Sequence, residues 1–267
     1  LSLNKSDVTI RGAGPDKTVL SFKGQLLGAE GLLIKAAERI TVENLAIEDT
    51  KGDGLKANGC KDLTIRNVRV EWTGGPDEKN GAYGLYPVQC ERVLMEKSAG
   101  MGASHAGIYV GQSTQIVLRD NRVELNVAGI EIENSYHADV LRNTATRNTG
   151  GILVFDLPNL PVMGGGNVLV RSNLVVDNDT PNFAPPGNIV AGVRRGTGIM
   201  VMANEAVTVE DNVITGNPTS GVMVVAYPLK FDDARYNRLP RKVAVGDNIV
   251  RGNGTEPQIG GGEQLVA

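Results

Sequence analysis

Residues 106–155, AGIYVGQSTQIVLRDNRVELNVAGIEIENSYHADVLRNTATRNTGGILVF, decide the fold, because they repeat one pattern three times. A glycine opens each statement, at Gly107, Gly129 and Gly151, and alternating apolar residues follow it: Ile108 and Val110, Ile130 and Ile132, Ile152 and Val154. A period of two marks a strand with one buried face; a helix would repeat at 3.6. Working outward, the same segment recurs at Gly31, Gly54 and Gly84 on one side and at Gly198 and Gly221 on the other, so the unit is about 22 or 23 residues with a few insertions. A second rule runs in phase with the first. Asn121 and Asn126, Asn143 and Asn148, Asn173 and Asn178, Asn212 and Asn217, and Asn248 and Asn253 keep one spacing. Asparagine accepts corner backbone conformations, and its amide can bond to the same residue one coil above and below. Short strands, polar corners and this period predict an all-β fold, a right-handed single-stranded parallel β-helix of about nine or ten coils with three strands each. With 34 glycines and 4% aromatic residues, the composition agrees; the glycines are expected at corners that need positive φ.

The chain reads as one domain over 1–267, with 1–30 as an N-terminal capping coil built round DVTIRGAGPDKTVLS, Asp7 to Ser21. Cys60 and Cys90 fall at equal offsets from their repeat glycines and stack on neighbouring coils; a disulfide and a pair of free thiols are both compatible with that spacing. With 27 basic and 30 acidic residues, the chain lacks the basic footprint that phosphate-backbone binding requires, so nucleic acid is excluded as a partner. No apolar run approaches the roughly 20 residues of a transmembrane helix. Leu1 is not an initiator methionine, and any export signal is expected to have been trimmed or never to have existed.

Insertions carry the functional expectation, since a solenoid sends extra residues to its surface. Residues 73–83 and 180–197 enter before a Gly-led strand, and 157–166 and 227–241 enter after one. All four therefore border the same sheet, whose outward face should lie in a loop-walled trough. Its floor reads Lys35, Lys56 and Asn58, Tyr86, Tyr109, Glu131 and Glu133, Phe155, Met200 and Met202, then Met223. Exposed tyrosines at coil spacing suit a sugar ring. The tract of Phe155, Met200, Met202 and Met223 suits a protein partner unless the chain's own loops cover it.

Glu131 and Glu133 share one strand face, which sets their carboxylates roughly 7 Å apart and within range of an inverting glycosidase pair. An ordinary solvated strand has the same geometry. Asp156 on the next coil is a third carboxylate that could join them, and the three could form a Ca²⁺ site. His105 lies at the upstream edge near Tyr109, where an imidazole could serve as acid or base; a structural histidine explains it equally. His105 and His137 fall on opposite edges, without metal-ligand spacing. Arg194 and Arg195, in the long insertion, could reach over the floor to hold a uronate.

GAYGLYPVQC (Gly81 to Cys90), AGIYVGQS (Ala106 to Ser113), AGIEIENS (Ala128 to Ser135), GGILVFDLP (Gly150 to Pro158), DTPNFAPPG (Asp179 to Gly187) and TGIMVMAN (Thr197 to Asn204) resemble a family of exported bacterial parallel β-helix repeat proteins. That resemblance implies a periplasmic or surface location, a signal peptide or lipoprotein leader, and a neighbouring diheme c-type cytochrome as partner; it assigns no catalytic residue. More distantly the coils are similar to pectate-lyase-like carbohydrate-active β-helix proteins, without the Asp-Pro-His-Asp run of the epimerases. The expected function is polysaccharide binding or processing, by a lyase, epimerase or glycoside hydrolase if enzymatic. The alternative is a non-catalytic scaffold that docks a protein such as the cytochrome.

Overall fold

Each Gly-led segment forms a strand, and the strands lie side by side. In the computed structural model, which describes residues 1–259, Ser2–Leu3, Leu32–Lys35, Leu55–Asn58, Tyr83–Val88, Ala106–Gly111, Ala128–Glu133, Gly150–Phe155, Thr197–Met202 and Ser220–Val225 pair in that order as one parallel sheet. The other two faces of each coil belong to a second sheet, because Glu38–Glu48 and Lys61–Glu71 run unbroken round the corner between them. The result is a parallel β-helix. Thr9–Arg11 and Val19–Ser21 pair with Glu38–Glu48 at its N-terminal end. The single helical turn among the described residues is the 3₁₀ segment Ile189–Gly192.

Coil spacing turns sequence period into core. Ile108, Ile130, Ile152 and Ile199 stand in register on successive strands, and none has any exposed surface. Enclosing each is worth about 1.5–3 kcal/mol. The asparagines form two ladders inside this core. Asn121 Nδ2 donates to Asn143 Oδ1 at 2.9 Å, Asn143 to Asn173 at 3.1 Å, Asn173 to Asn212 at 3.0 Å and Asn212 to Asn248 at 2.9 Å. The ladder of Asn126, Asn148, Asn178, Asn217 and Asn253 repeats the arrangement. Each Oδ1 after the first of a ladder also accepts the backbone N–H of the preceding asparagine, as Asn148 Oδ1 does from Asn126 at 3.0 Å, so buried corner amides are satisfied.

A third ladder is hidden by mixed chemistry. Cys60 N–H donates to Cys90 Sγ at 3.4 Å, Cys90 N–H to Ser113 Oγ at 2.9 Å, and Ser113 N–H to Ser135 Oγ at 3.0 Å. Both thiols are free and buried. Cys90 thus does for its corner what hydroxyls do on the next two coils.

The repeat glycines play a part other than the expected one. Gly54, Gly84, Gly129, Gly151 and Gly198 do not have positive φ. A Cβ on Gly129 would lie 2.5 Å from Gly151 O, one on Gly151 2.6 Å from Gly198 O, and one on Gly198 2.4 Å from Gly221 O. Coils approach too closely there for any side chain. Positive φ falls instead at the far end of the same strands, on Gln89, Gln112, Asn134 and Ala203.

Candidate functional site

The outer face of the Gly-led sheet is built in columns by the strand register. Lys56 pairs with Tyr86; Tyr109, Glu131, Leu153, Met200 and Met223 continue along successive coils. Beside them run Gly111, Glu133, Phe155, Met202 and Val225. The expected grading from basic through aromatic and acidic to apolar is therefore present, but the face is not an open floor. Tyr109, Glu131, Glu133, Phe155, Asp156 and His105 are all buried. Two features cover all of these but Asp156. Aromatic rings close over the acidic coils, and Val193 of the insertion 180–197 packs onto Gly150 and into the cluster of Leu153 and Phe155.

Tyr83 supplies much of the aromatic cover, and strict alternation puts it on the wrong face. Gly84 and Leu85 both face the core, so the residue before the repeat glycine points outward, as do Ala106 and Ala128 in register with it. The Tyr83 ring lies 4.3 Å from that of Tyr86, 4.5 Å from His105 and 4.8 Å from Tyr109, centroid to centroid. The local signal was the residue before the repeat glycine, small or aromatic from Gly84 onward: Tyr83, Ala106, Ala128, Gly150, Thr197 and Ser220. Tyr83 and Tyr86 remain half-buried and make the surface a ligand would meet.

Beneath the rings sits an acid–base cluster. Tyr109 O–H donates to Glu133 Oε1 at 2.9 Å, and its ring crosses Gly111, where a Cβ would fall 2.0 Å from the phenol oxygen. His105 Nε2 lies 3.1 Å from Glu131 Oε2, out of line for a hydrogen bond. Glu131 is 0% exposed, and neither of its carboxylate oxygens has a hydrogen-bond partner; nor does His105 Nε2. Leaving buried polar groups unpaired costs about 1–3 kcal/mol each, more for a charge. Burial, reinforced by the negative charge of Glu131, pushes the Glu133 carboxyl up to about 7. Burial likewise raises the phenols of Tyr83 and Tyr109, and that of Tyr86 to about 12.

The other sequence candidates lie apart from this cluster. Asp156 turns to the downstream edge, where it accepts from Asn204 Nδ2 at 2.7 Å and lines a separate cavity of about 300 Å³ with Tyr136, Gly165 and Tyr236. Its carboxyl is raised to about 7 by burial. Among the described residues no three His, Cys, Asp or Glu side chains converge as a metal site would. Lys56 pairs with Asp53 at 3.2 Å and stands 4.6 Å above the Tyr86 ring. Arg195 does not reach over the sheet: its guanidinium is held by Asp179, just before the insertion, at 2.5 Å and by Glu256 at 3.5 Å. Arg194 is exposed at the rim of an apolar cleft. That cleft, of about 280 Å³, begins where the glutamates end and holds Phe155, Met200, Met202 and Met223; the three methionines are half-buried, covered only in part by the two insertions beside them.

Comparisons with solved structures agree on the fold. The A-module of Azotobacter vinelandii mannuronan C-5 epimerase AlgE4 superposes with a TM-score of 0.68 at 18% identity, over 96% of this chain and 75% of that one. The A-module of AlgE6 from the same organism gives 0.66 at 18%, over 93% and 64%. A variant of the periplasmic alginate epimerase AlgG gives 0.58 at 12%, over 90% and 64%. The chain thus spans three quarters of the first and just under two thirds of the others. A comparison with curated protein sequences finds no match. No helix among the described residues is long and apolar enough to cross a membrane. The model for the right-handed β-helix region matches residues 6–162 and 78–231, and the chain belongs to that family.

Proposed function

We propose that this protein binds a polysaccharide along the outer face of the Gly-led sheet and acts on it through Glu131, Glu133, His105 and Tyr109. One observation carries the reading: Glu131 is wholly enclosed with neither oxygen hydrogen-bonded, 3.1 Å from a His105 nitrogen that likewise makes no hydrogen bond. A structural carboxylate would be satisfied; one kept unsatisfied at this cost is reserved for a ligand's donors. With Glu133 held near 7, its carboxyl can both give and take a proton near neutral pH, as an acid–base group must. Tyr86 and Tyr83 offer a stacking surface to the sugar, and the substrate reaches the glutamates when these rings swing aside. That the structurally similar epimerases act on alginate supports a polysaccharide substrate. An exported location, periplasmic or extracellular, belongs with this reading and is supported by the periplasmic member among them.

The test is affinity electrophoresis and a glycan array with wild type, Glu131→Gln and Tyr109→Ala. Retention by a polysaccharide that drops at least tenfold in both variants is expected. Binding unchanged in both would remove the proposal. A second reading, docking of a protein partner such as a c-type cytochrome, is favoured by the partly exposed methionine cleft. Co-elution with the cytochrome that is lost in Met200→Lys would support it, and no co-elution would dismiss it.

A further inference from the structure

The charges around the acid–base cluster discriminate between classes of polysaccharide. A polyuronate needs a cation, or a set of aimed N–H donors, for each carboxylate it lays on a floor. Near the tyrosines and glutamates the floor offers none free; the exposed Lys35 stands two coils before Tyr86 and four before Glu131. Lys56, the cation nearest the tyrosines, is held by Asp53 at 3.2 Å and lies against the Tyr86 ring. Coil by coil beyond it come Tyr109, then Glu131 and Glu133, then Leu153 and Phe155. His105, the basic group among the glutamates, already lies 3.1 Å from Glu131. The exposed Arg194 stands on the methionine cleft, level with a strand two coils from Glu131. A uronate bound over the tyrosines would thus bring its carboxylate against two buried acids in a medium that screens poorly. Hydroxyls, by contrast, are donors, and the two unpaired oxygens of Glu131 want donors. We infer that the glycan this site takes carries no carboxylates: it is a neutral polysaccharide, unlike the alginate of the structurally similar epimerases.

This inference rests on the polysaccharide reading, and one experiment separates the two. The full chain is run in native gels containing a neutral polymer (hydroxyethyl cellulose, xylan, mannan or a β-1,3-glucan) or a polyuronate (alginate or polygalacturonate), at low and high salt. Retardation by at least one neutral polymer, insensitive to salt, with polyuronates at least ~10-fold weaker, is the expected result. Asp53→Asn, which frees Lys56, should strengthen polyuronate retardation about three- to tenfold at low salt; no change in that variant would overturn the electrostatic argument. Polyuronate retardation equal to or stronger than neutral overturns the inference and leaves the polysaccharide reading standing. Retardation by neither class overturns both.

Discussion

Replacing Glu133 by Gln should make the protein more stable, and only above a definable pH. The side chain keeps its shape, and the amide oxygen can still accept the Tyr109 O–H that Glu133 Oε1 now takes at 2.9 Å. What is lost is the charge. The carboxyl titrates near 7 in the folded chain against 4.5 in the unfolded one, chiefly because burial disfavours its ionised form, a gap worth about 3 kcal/mol. A raised carboxyl means that the folded state holds a proton which the unfolded state has already released. Stability therefore falls as pH climbs from about 4.5 to about 7 and is level beyond. Glu133→Gln removes that slope. The gain should be near zero at about pH 4, under ~1 kcal/mol at about pH 5 and about 3 kcal/mol at about pH 8. Urea unfolding followed by far-ultraviolet circular dichroism across that range measures it. A gain independent of pH, or a loss at about pH 8, would refute the account, since it would mean that ionised Glu133 is held by contacts that stabilise it.

Other variants probe the frame and the corners. Gly129→Ala places a methyl 2.5 Å from Gly151 O and should cost more than about 2 kcal/mol or prevent folding, seen as loss of the urea transition. Asn148→Leu strips the acceptor from the Asn126 backbone N–H and Nδ2, both buried, and should cost about 2–4 kcal/mol, whereas Arg119→Ala, whose ion pair with Glu96 is partly exposed, should cost under ~1 kcal/mol. Alkylation of the denatured, unreduced chain should add two labels by mass, because Cys60 and Cys90 are free. Cys90→Ser should stay within about 1 kcal/mol of wild type, since a hydroxyl already fills the equivalent corner at Ser113 and Ser135, while Cys90→Ala should cost more by leaving the Cys60 N–H without an acceptor.

The fold could be read from the sequence because each coil restates it. Ile108, Ile130 and Ile152 take the positions that alternation predicts, and the asparagines bond as their spacing requires. The reason for the repeat glycines could not be read, since a clash with the carbonyl of the next coil depends on three-dimensional spacing and leaves no local mark. The third corner ladder also escaped, because sulfur and hydroxyl do one job under two letters. At the site, register assigned the columns of Tyr109, Glu131 and Phe155, but nothing in a linear pattern says what lies above a strand. Tyr83 shows the limit most plainly. A pair of inward residues, Gly84 and Leu85, reverses the alternation for one position and turns the last residue of the insertion 73–83 into the roof of the cluster. Charge pairing was equally out of reach: Arg195 could be placed on an insertion but not matched to Asp179 and Glu256.

The asparagine ladders have a direction. In both, Nδ2 of the earlier coil gives to Oδ1 of the later one, without reversal from Asn121 to Asn248 or from Asn126 to Asn253. Any winding that carries the two amides can therefore sit between any two others, finding an acceptor ahead and a donor behind. Whole windings are interchangeable parts in a way that fractions of one are not. Duplicating or excising a complete winding lengthens or shortens the rod while both amide chains close again, whereas a shift of a few residues within one severs them. Lineages of such proteins should accordingly differ in length by multiples of the repeat, with other changes confined to the edge insertions.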